Sequence, residues 1–371
     1  MESHTQMTQR CRIVTYNVNS LRARMNFLLL FLDAHQPDVI CLQELKGTKE
    51  QLEDYFNVLR KKGYYLSTHT QPKWNGVLIG SKKPITYEEF DFEGELFESE
   101  RQSRFQYVQT FGIHLVNIYC PQGESTTSSK FQYKKRFYKY LIDWMERHIT
   151  NSHSWIITGD FNIAPLSTDV WDSEYWKNKP TYHPEEHALW TELLECGLSD
   201  IGKNFLPDRS YTFFDNRTYK WSPQKGLRID HFLGNRNVQH KVTGCKVYRD
   251  WRDERTDTDL GVCKPSDHVP LELTLQLLVE TAQSQVKISS SPFSTKMVPS
   301  KNIGSFSESD SESSGIRVHS MSHLIQTTIP FLDNTHKANK NLTPIPQNIL
   351  DPNISMLKEE EHRSTSSSEE I

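Results

Sequence analysis

A carboxylate and a carboxamide stand at the end of an apolar run in Thr158–Leu166, which reads T-G-D-F-N-I-A-P-L. Asp160 and Asn162 follow the letters S-W-I-I, although both residue types are depleted in strands. On an extended backbone their side chains would share one face, with Phe161 directed the other way into the core. The spacing therefore predicts a carboxylate and an amide on the same face of one strand end. The simpler interpretation is a strand that ends in an Asx-type turn.

Other polar residues also end or follow apolar runs, namely Asn17, Glu44, Tyr119, Gln122, Asp230, Asp267 and His268. Any one of them alone is most simply a turn or cap residue. Together they would lie at a sheet rim, where carboxylate and amide oxygens without a thiolate suit a hard cation such as Mg²⁺. This combination predicts phosphoester chemistry. Glu44, Asp160 and His268 could serve as metal ligand, base and donor to the phosphate.

The elements that must position these residues are short strands and longer helices. Strands are predicted at 12–18, 38–44, 76–81, 111–120, 155–160, 227–234, 241–248 and 269–275, and helices at 20–35, 48–62, 129–149 and 184–196. Helix-linked strands alternate with direct strand-to-strand connections. That mixture favours an α/β fold of two packed mixed sheets flanked by helices over a doubly wound parallel sheet.

Composition indicates a globular chain with a polar tail. The 371 residues are 36% hydrophobic and 24% charged, which allows a full core in one large or two ordinary domains. Apolar periodicity stops after Val279, and we expect a flexible N-terminus at 1–10, a catalytic domain at 11–279 and a disordered Ser- and acid-rich tail at 280–371. No segment resembles a membrane span or a secretory signal, so an intracellular protein is expected.

Charge and cysteine usage narrow the classes further. A net charge of −4 argues against nucleic-acid binding by bulk charge, although a local basic face would be enough for a phosphate ligand. The six cysteines show no C-x-x-C pairing and mostly fall among apolar residues. We therefore expect reduced, buried thiols without disulfides or zinc ligation.

Seven ordered blocks carry a resemblance to a known family. They are TYNVNSLRAR, PDVICLQELK, WNGVLIGSKKP, NIYCPQGES, TGDFNIAP, GLRIDHFLG and KPSDHVPLEL, spread over Cys11 to Leu278. In this order they resemble the exonuclease III family of abasic-site endonucleases, within the endonuclease/exonuclease/phosphatase superfamily. The resemblance implies a four-layer α-β-β-α sandwich with its active site at one edge of the two central sheets.

The resemblance also implies a role for each matched residue. Glu44 would be the principal Mg²⁺ ligand, with Mn²⁺ as a possible substitute, and the family's metal and phosphate site would also draw on Asn17, Asp160, Asn162, Asp267 and His268. Asp160 would be the base for the attacking water, and Asn162 would hold that water or the phosphate. Asp230 would orient the His268 imidazole, as carboxylates commonly do. Tyr119 would contact the phosphate or the leaving oxygen.

DNA contacts are implied for residues around this set. Gln122 would contact the DNA that flanks the lesion, Lys130 would reach a phosphate, and Arg101 or Arg104 would grip the backbone. Phe213, Leu227 and Ile229 fall where the family forms an apolar pocket for a baseless sugar, while core packing is the simpler interpretation and the preferred one for Phe214. The basic residues Lys134, Lys135, Arg136 and Lys139 of the third predicted helix would be either phosphate contacts or merely solvated.

The activity implied is Mg²⁺-dependent cleavage of double-stranded DNA 5' to abasic sites. It would leave a 3'-hydroxyl and a 5'-deoxyribose phosphate, with accompanying 3'-to-5' exonuclease action and removal of blocked 3' ends. One alternative is a superfamily phosphatase that acts on inositol phosphates or phospholipid head groups. A second is a non-catalytic interaction scaffold, against which the intact catalytic set weighs.

Partners and location are expected from the same interpretation. We expect a monomer without membrane attachment, located in the cytoplasm or nucleoid if bacterial and in the nucleus if eukaryotic. In the tail, Gln326–Phe331 (Q-T-T-I-P-F) loosely resembles peptides that dock on sliding clamps, with Ile329 and Phe331 as anchors. A chance match is the competing explanation in a low-complexity segment.

Overall fold

Two mixed β-sheets form the centre of the fold in the computed structural model, which describes residues 7–92, 101–215, 224–256 and 259–278. The strands are β1 Thr8–Asn17, β2 Val39–Gln43, β3 Tyr65–His69, β4 Val77–Ser81, β5 Tyr87–Phe90, β6 Phe105–Thr110, β7 Ile113–Tyr119, β8 Ser154–Asp160, β9 Leu198–Asp200, β10 Asp230–Asn235, β11 Val242–Val247 and β12 Leu271–Leu278. Every strand predicted from the sequence is present. The expectation of two mixed sheets flanked by helices is confirmed.

The four predicted helices begin and end close to their predicted bounds, and the described residues contain two further short α-helices that were not predicted. In chain order they are α1 Leu21–His35, α2 Lys49–Lys61, α3 Ser129–His148, α4 Ser173–Trp176, α5 Pro184–Glu195 and α6 Arg236–Gln239, of which α4 and α6 are the two that were not predicted. Side-chain caps explain several starts: Thr48 closes a capping box with Gln51, and Ser128 accepts from the Phe131 amide. A proline opens α5, where its missing N–H costs nothing.

Each sheet has six strands and one parallel pair. The first sheet has the order β11-β12-β1-β2-β4-β3, and the second has the order β5-β6-β7-β8-β10-β9. In the first sheet β1 and β2 run parallel, in the second β7 and β8 do, and the other pairs are antiparallel. The two parallel pairs lie against one another, because β1 and β2 both contact β8. Their carboxyl ends therefore meet at one edge of the molecule.

Alternation along the central strands separates the two faces of each sheet. Ile113 and Leu115 of β7 pack between the sheets together with Cys11, Ile13 and residues of β2, β8 and β12. Val116 and Ile118 point the other way and pack beneath helices. Because side chains alternate with a period of two, the polar residues that follow on the inner faces are aimed at the space between the sheets.

Helices cover the outer faces. Phe137 and Trp144 of α3, with Leu189 and Leu193 of α5, pack on the outer face of the second sheet. On the side of the first sheet, α1 and α2 contact each other, and Phe31 of α1 packs edge-to-face on Tyr248 and Trp251 near the end of β11. The layers are therefore helix, sheet, sheet and helix.

Some bounds differ from the prediction. The first strand begins at Thr8, so Thr8, Gln9 and Arg10 belong to the sheet and not to a flexible N-terminus. Their backbone pairs with the end of β12, as in the pair Thr8 and Leu278, which supplies the hydrogen bonds that hold them. The chain divides into compact units at Thr281, and the predicted tail at 280–371, including Gln326–Phe331, lies outside the described residues.

Two further expectations concern membranes and thiols. In the described ranges, no helix is both long and apolar enough to cross a bilayer. All six cysteines are free thiols, and Cys11, Cys41, Cys120 and Cys263 are buried. Burial raises the pKa of the Cys120 thiol to about 12, so this group remains a protonated, unreactive packing residue.

Candidate active site

Polar residues from both sheets converge where the parallel strand pairs end. Asn17 is the last residue of β1, and Glu44 follows β2 directly. In the second sheet Asp160, the last residue of β8, pairs with Tyr119 at the end of β7 and with Asp230 at the start of β10. His268 comes from the segment that leads into β12. These six residues were predicted to lie at a sheet rim, and the strands place them there.

Asn17 connects the carboxylates of the two sheets. Its Nδ2 donates to Glu44 Oε1 and to Asp160 Oδ2, at 2.9 Å in both cases. Its Oδ1 accepts from the backbone N–H of Asn19 at 3.0 Å, so both ends of the amide are engaged. One neutral donor therefore holds two carboxylates that would otherwise repel one another at close range.

His268 lies between two aspartates. Its Nδ1 donates to Asp230 Oδ2 at 2.8 Å, and its Nε2 lies 3.6 Å from Asp160 Oδ2. Burial alone would lower the pKa of His268, but the carboxylates of Asp230 and Asp160 raise it to about 10. The imidazole is therefore a cation at neutral pH, with Asp230 fixing the ring and Nε2 facing Asp160.

Burial dominates the electrostatics of Asp160. Desolvation raises the pKa of this carboxyl to about 7, against the opposing effect of His268, and the neighbouring Asp230 raises it further. A carboxylate with a pKa near the working pH is suited to accept a proton from water.

Asn162 departs from the geometry that the spacing predicted. The strand ends at Asp160, and Asn162 has a left-handed backbone with φ of 52°, so the two side chains are not successive inner residues of one extended strand. The Asn162 N–H donates to Asp160 Oδ1 at 3.0 Å, which is the Asx-type turn of the simpler interpretation. Phe161 is fully buried against Trp190 and His231, as expected.

The turn still keeps Asn162 beside Asp160. Its Nδ2 donates to the carbonyl of Cys120 at 2.9 Å, and the Cys120 N–H donates to the Asp160 carbonyl at 2.8 Å. Of the two ends of the carboxamide, Nδ2 is thus used to fix the side chain, and Oδ1 is the end suited to accept from a ligand. The turn and the chemical role are compatible.

A cation and an amide that the sequence did not single out lie beside Glu44. Lys46 Nζ lies 2.8 Å from Glu44 Oε2 and also donates to Asn19 Oδ1. Asn19 Nδ2 in turn donates to Asp267 Oδ1 at 3.1 Å, and Ser266 Oγ donates to the same oxygen. Burial raises the pKa of Asp267, but His268 and these two donors lower it more, so the carboxyl is ionised. Lys46 follows Glu44 by two residues, a spacing that could have pointed to it.

Tyr119 and Arg104 form the next part of the rim. Burial, followed by the charge of Glu44, raises the pKa of the Tyr119 phenol well above its ordinary value, so it remains a donor. The Arg104 guanidinium lies 4.5 Å from the Tyr119 ring centroid, and its Nη1 donates to the Tyr119 carbonyl at 3.1 Å. Arg101 Nε lies 3.5 Å from Asp91 Oδ2. Of the two predicted arginines, Arg104 is the one whose contacts place it beside Tyr119.

Two predicted DNA contacts lie on the exposed loop after β7 and on the first turn of α3. Gln122 is exposed and its Oε1 accepts from the Glu124 N–H at 2.8 Å. Lys130, at the start of α3, is exposed and lies 3.2 Å from Glu124. Both side chains are exposed, so they could contact a DNA backbone that passes outside the carboxylate cluster.

Three of the basic residues of α3 form ion pairs with acidic residues of α5. Lys134 is fully buried, so it is neither a phosphate contact nor a solvated residue as the sequence indicated. Lys135 and Lys139 pair with Glu185 and Glu192 of α5, at 2.6 and 2.9 Å. Arg136 and Lys139 are exposed, as the sequence allowed, whereas the buried pairing of Lys134 with Glu186 of α5 could not be seen in the local sequence.

An apolar cluster adjoins His268. Leu227 and Ile229 are buried and pack with Ala164, Val170 and the half-buried Phe213. The Phe213 ring lies 5.0 Å from the His268 ring, at an interplanar angle of 61°. The predicted apolar residues thus form one packed cluster, and Phe213 is the member that contacts the imidazole. Phe214, in contrast, is buried with Tyr211 and Val269 and is a core residue, as preferred.

A buried ion network supports the chain before Asp230. Arg228 donates through Nε to Asp169 Oδ1 and through Nη1 to Asp200 Oδ2, at 2.7 Å in both cases. His231 Nε2 lies 2.8 Å from the Ile163 carbonyl, in the loop that follows Asn162. The sequence did not point to this network. These bonds hold residues 227–231 against the loop that follows β8.

A closed cage of three or more His, Cys, Asp or Glu ligands is not found in the described part of the chain. Mg²⁺ does not require one, because it is usually held by one or two carboxylates while water and phosphate fill its other positions. Glu44 is half-buried, belongs to an oxygen-rich cluster and adjoins Asp160 through Asn17. This donor chemistry fits a hard divalent cation.

Comparison with known proteins agrees with this geometry. A model of the Endonuclease/Exonuclease/phosphatase family matches residues 14–268. The chain is 29% identical to an exodeoxyribonuclease III of Haemophilus influenzae over 271 residues, which is 70% of this chain and 98% of the relative. Two solved structures are similar across 71% of this chain. A Neisseria 3' phosphatase bound to product DNA hairpin has TM-score 0.64, identity 29% and 98% coverage, and an Archaeoglobus fulgidus AP endonuclease has TM-score 0.63, identity 25% and 99% coverage.

Proposed function

This chain belongs to the Endonuclease/Exonuclease/phosphatase family, and we propose that it is a DNA-repair phosphodiesterase that cleaves DNA 5' to abasic sites. Cleavage leaves a 3'-hydroxyl and a 5'-deoxyribose phosphate. The same site would serve 3'-to-5' exonuclease action and the removal of blocked 3' ends. Similarity that covers 98% of an exodeoxyribonuclease III and 98% of a 3' phosphatase bound to DNA supports this choice of substrate.

The contacts of each residue support its proposed catalytic role. Asp160 takes the proton from an attacking water, which the Oδ1 of Asn162 orients. The His268 cation, held by Asp230, donates from Nε2 to a phosphate oxygen, and Tyr119 donates from its phenol to the phosphate or the leaving oxygen. When bound, Mg²⁺ or Mn²⁺ at Glu44, with Asn17 and Asp267 nearby, would neutralise charge on the phosphate.

Substrate contacts surround this centre. Arg104, Gln122 and Lys130 would bind the phosphate backbone and the DNA that flanks the lesion. The surface formed by Phe213, Leu227 and Ile229 would receive the baseless sugar, which has no stacking to lose when it leaves the duplex. Work on genomic DNA would place the protein in the nucleus of a eukaryote or at the nucleoid of a bacterium, as a monomer.

The observation that carries this proposal is the position of Asp160, bonded to Asn17 and 3.6 Å from His268 Nε2. Its test is a duplex with one tetrahydrofuran abasic analogue, incubated with Mg²⁺ or with EDTA. We expect a nick 5' to the analogue with Mg²⁺ only, and losses of roughly 10²–10⁴-fold in Asp160→Asn and His268→Ala. The exposed residues Asp208 and His240 supply matched controls, Asp208→Asn and His240→Ala, which should cleave like the wild type.

The same assay separates the alternatives. Inositol phosphates and a phospholipid head group, offered under identical conditions, would be hydrolysed by a superfamily phosphatase while the duplex stayed intact. An interaction scaffold would leave every substrate unchanged. Nicking that ignores EDTA or both catalytic substitutions would contradict the roles assigned to Asp160 and His268.

A further inference from the structure

A buried lysine lies directly behind the loop that carries Asn162. Lys134, in the second turn of α3, is fully buried, and its Nζ donates to the Asn162 carbonyl at 2.7 Å. The same ammonium donates to the Gln122 carbonyl at 3.3 Å and to Glu186 Oε1. An ammonium has three N–H donors, and here the three acceptors are two backbone carbonyls and one carboxylate.

These acceptors come from three separate segments of the chain. Gln122 lies in the loop that follows β7, whose last residue is Tyr119, and Asn162 lies in the loop that follows β8, whose last residue is Asp160. Glu186 is in the first turn of α5, where its Oε2 also accepts from the His183 N–H. The Lys134 cation therefore joins the two loops that carry candidate catalytic residues to two outer helices.

The Asn162 backbone needs such support. Its φ of 52° is a conformation that few residues other than glycine adopt, although asparagine tolerates it. In this conformation the Asn162 N–H is bonded to Asp160 Oδ1 and the Asn162 carbonyl to Lys134 Nζ. Each side of the residue is thus anchored, one side to the base and the other to the lysine.

We propose that Lys134 is a positioning residue for the reaction, acting through the Asn162 carbonyl to hold the carboxamide beside Asp160. The inference deepens the proposed function and rests on it for the role of Asn162. A stability role alone does not require this arrangement, because apolar residues of similar volume often replace a buried ion pair without loss of stability. The neighbouring pair Lys135 and Glu185 joins the same two helices on their exposed side, through the bond from Lys135 Nζ to Glu185 Oε2 at 2.6 Å.

This neighbouring pair supplies the matched control. The test variant is Lys134→Met/Glu186→Gln, which removes both buried charges and keeps an oxygen for the His183 N–H. The control variant is Lys135→Met/Glu185→Gln. On the abasic-analogue duplex with Mg²⁺, we expect kcat at saturating DNA to fall by roughly 10–100-fold in the test variant, as for the loss of groups that orient a catalytic ligand. The control should retain the kcat of the wild type.

A double-mutant cycle distinguishes positioning from general loosening. If Lys134 acts through Asn162, then adding Lys134→Met/Glu186→Gln to Asn162→Ala causes no additional loss of kcat. An equal loss in both backgrounds would overturn the proposal. Glu186→Gln alone, which retains the lysine donor, should keep most of the activity. A loss as large as that of the test variant would assign the effect to the ion pair instead.

Amide hydrogen exchange gives a readout that does not depend on activity. The peptide that spans Asp160 to Ile163 should exchange faster in the test variant than in the wild type, and at the wild-type rate in the control. Unchanged exchange would overturn the positioning role even if the protein cleaves DNA. A wild type that fails to cleave the duplex would instead remove the proposed function, while the exchange comparison would still decide whether Lys134 fixes this loop.

Discussion

At the level of single residues, the side-chain amide of Asn17 sets the distance between a carboxylate of the first sheet and a carboxylate of the second. Asn17 offers two N–H donors on one nitrogen, and each is taken by a different acid, Glu44 or Asp160. An aspartate at this position would add a third negative charge to the pair. An alanine would leave two carboxylates facing each other with no shared donor. The amide is the residue type that holds both acids and stays neutral.

The substitution Asn17→Ala tests this bridge. We expect kcat on the abasic-analogue duplex to fall by about 10²-fold, because a misplacement of about 1 Å at a reacting group can cost that much. The Mg²⁺ concentration for half-maximal rate should rise, since Glu44 loses the contact that orients it. Asn26→Ala, on α1, removes an amide that donates to the Leu260 carbonyl and serves as the control. Equal rates in the two variants would contradict the bridging role.

Asn162 shows how far residue types predict chemistry. The sequence indicated that Asp160 and Asn162 belong together, and the structure keeps them in contact. It did not indicate the left-handed turn, because a spacing of one residue fits an extended strand and an Asx turn equally well. Two hydrogen bonds stabilise the turn. The Asn162 carboxamide donates to the Cys120 carbonyl, and the Asn162 backbone carbonyl accepts from Lys134 Nζ. Both partners are distant in sequence.

At the scale of elements, most interior strands were predicted and three of the four described edge strands were not; the exceptions are the edge strand β11, which was predicted, and the interior strand β6, which was missed. Strands β3, β5 and β9 end their sheets and contain mostly half-buried or exposed residues, so they lack the apolar alternation that identifies a strand. The strands that carry Asn17, Tyr119 and Asp160 lie inside the sheets, where alternation is strong. The site was therefore easier to locate than the outline of the sheets.

The burial of charged residues is the second feature that the local sequence pattern did not predict. Lys134 and Arg228 look like surface residues in their own segments, yet both are buried and paired with acids far along the chain. The acid paired with Lys134 is Glu186 of α5, and the acid paired with Arg228 is Asp169. Periodicity within one element cannot report a partner on another element. Such pairs become visible only when the helices and loops are packed.

The Arg228 network predicts an acid dependence of stability. Burial would raise the pKa of Asp200, but the Arg228 guanidinium, 2.7 Å away, lowers it well below its usual value. The folded state therefore gains stability above the unfolded pKa of about 3.9 and loses it as pH falls through the folded value. In urea unfolding from pH 6 downwards, the free energy of unfolding should decline below about pH 4–5.

The decline should be shallower in Asp200→Asn than in the wild type, by at most about 1.4 kcal/mol per pH unit, because the asparagine cannot bind that proton. Asp253→Asn, at an exposed position, should leave the slope as it is. Parallel curves for the wild type and Asp200→Asn would show that this carboxylate does not contribute to acid unfolding.

At the scale of the whole molecule, both sheets must keep their register for the site to exist. Between them, directly behind the site, Gln43 Nε2 donates to Asn117 Oδ1 at 2.7 Å, and Asn117 Nδ2 donates to the carbonyls of Leu42 and Leu78. These buried polar bonds align β2 with β7, the strands that lead to Glu44 and Tyr119. A slip of either strand would leave them unsatisfied, which costs about 1–3 kcal/mol for each lost group.

The site is rich in acidic residues. Without a bound cation, its carboxylates repel one another. Glu44, Asp160, Asp230 and Asp267 gather within one connected set of hydrogen bonds, with His268 and Lys46 as the cations among them. Coulomb repulsion between carboxylates weakens the folded state until a cation is bound. Divalent metal should therefore act on stability as well as on activity.

Mg²⁺ should raise the melting temperature of the wild type. At about ten times its Kd, binding to the folded state alone adds about 1.4 kcal/mol, which corresponds to a rise in Tm of about 3–5 °C for a domain of this size. Glu44→Gln should show little rise with Mg²⁺, yet without metal it should melt no lower than the wild type, because one repelling charge is gone. Scanning calorimetry with Mg²⁺, with EDTA, and with KCl at matched ionic strength checks this. An equal rise in Glu44→Gln, or the same rise with KCl, would mean that the ion acts elsewhere on the protein and that Glu44 is not its ligand.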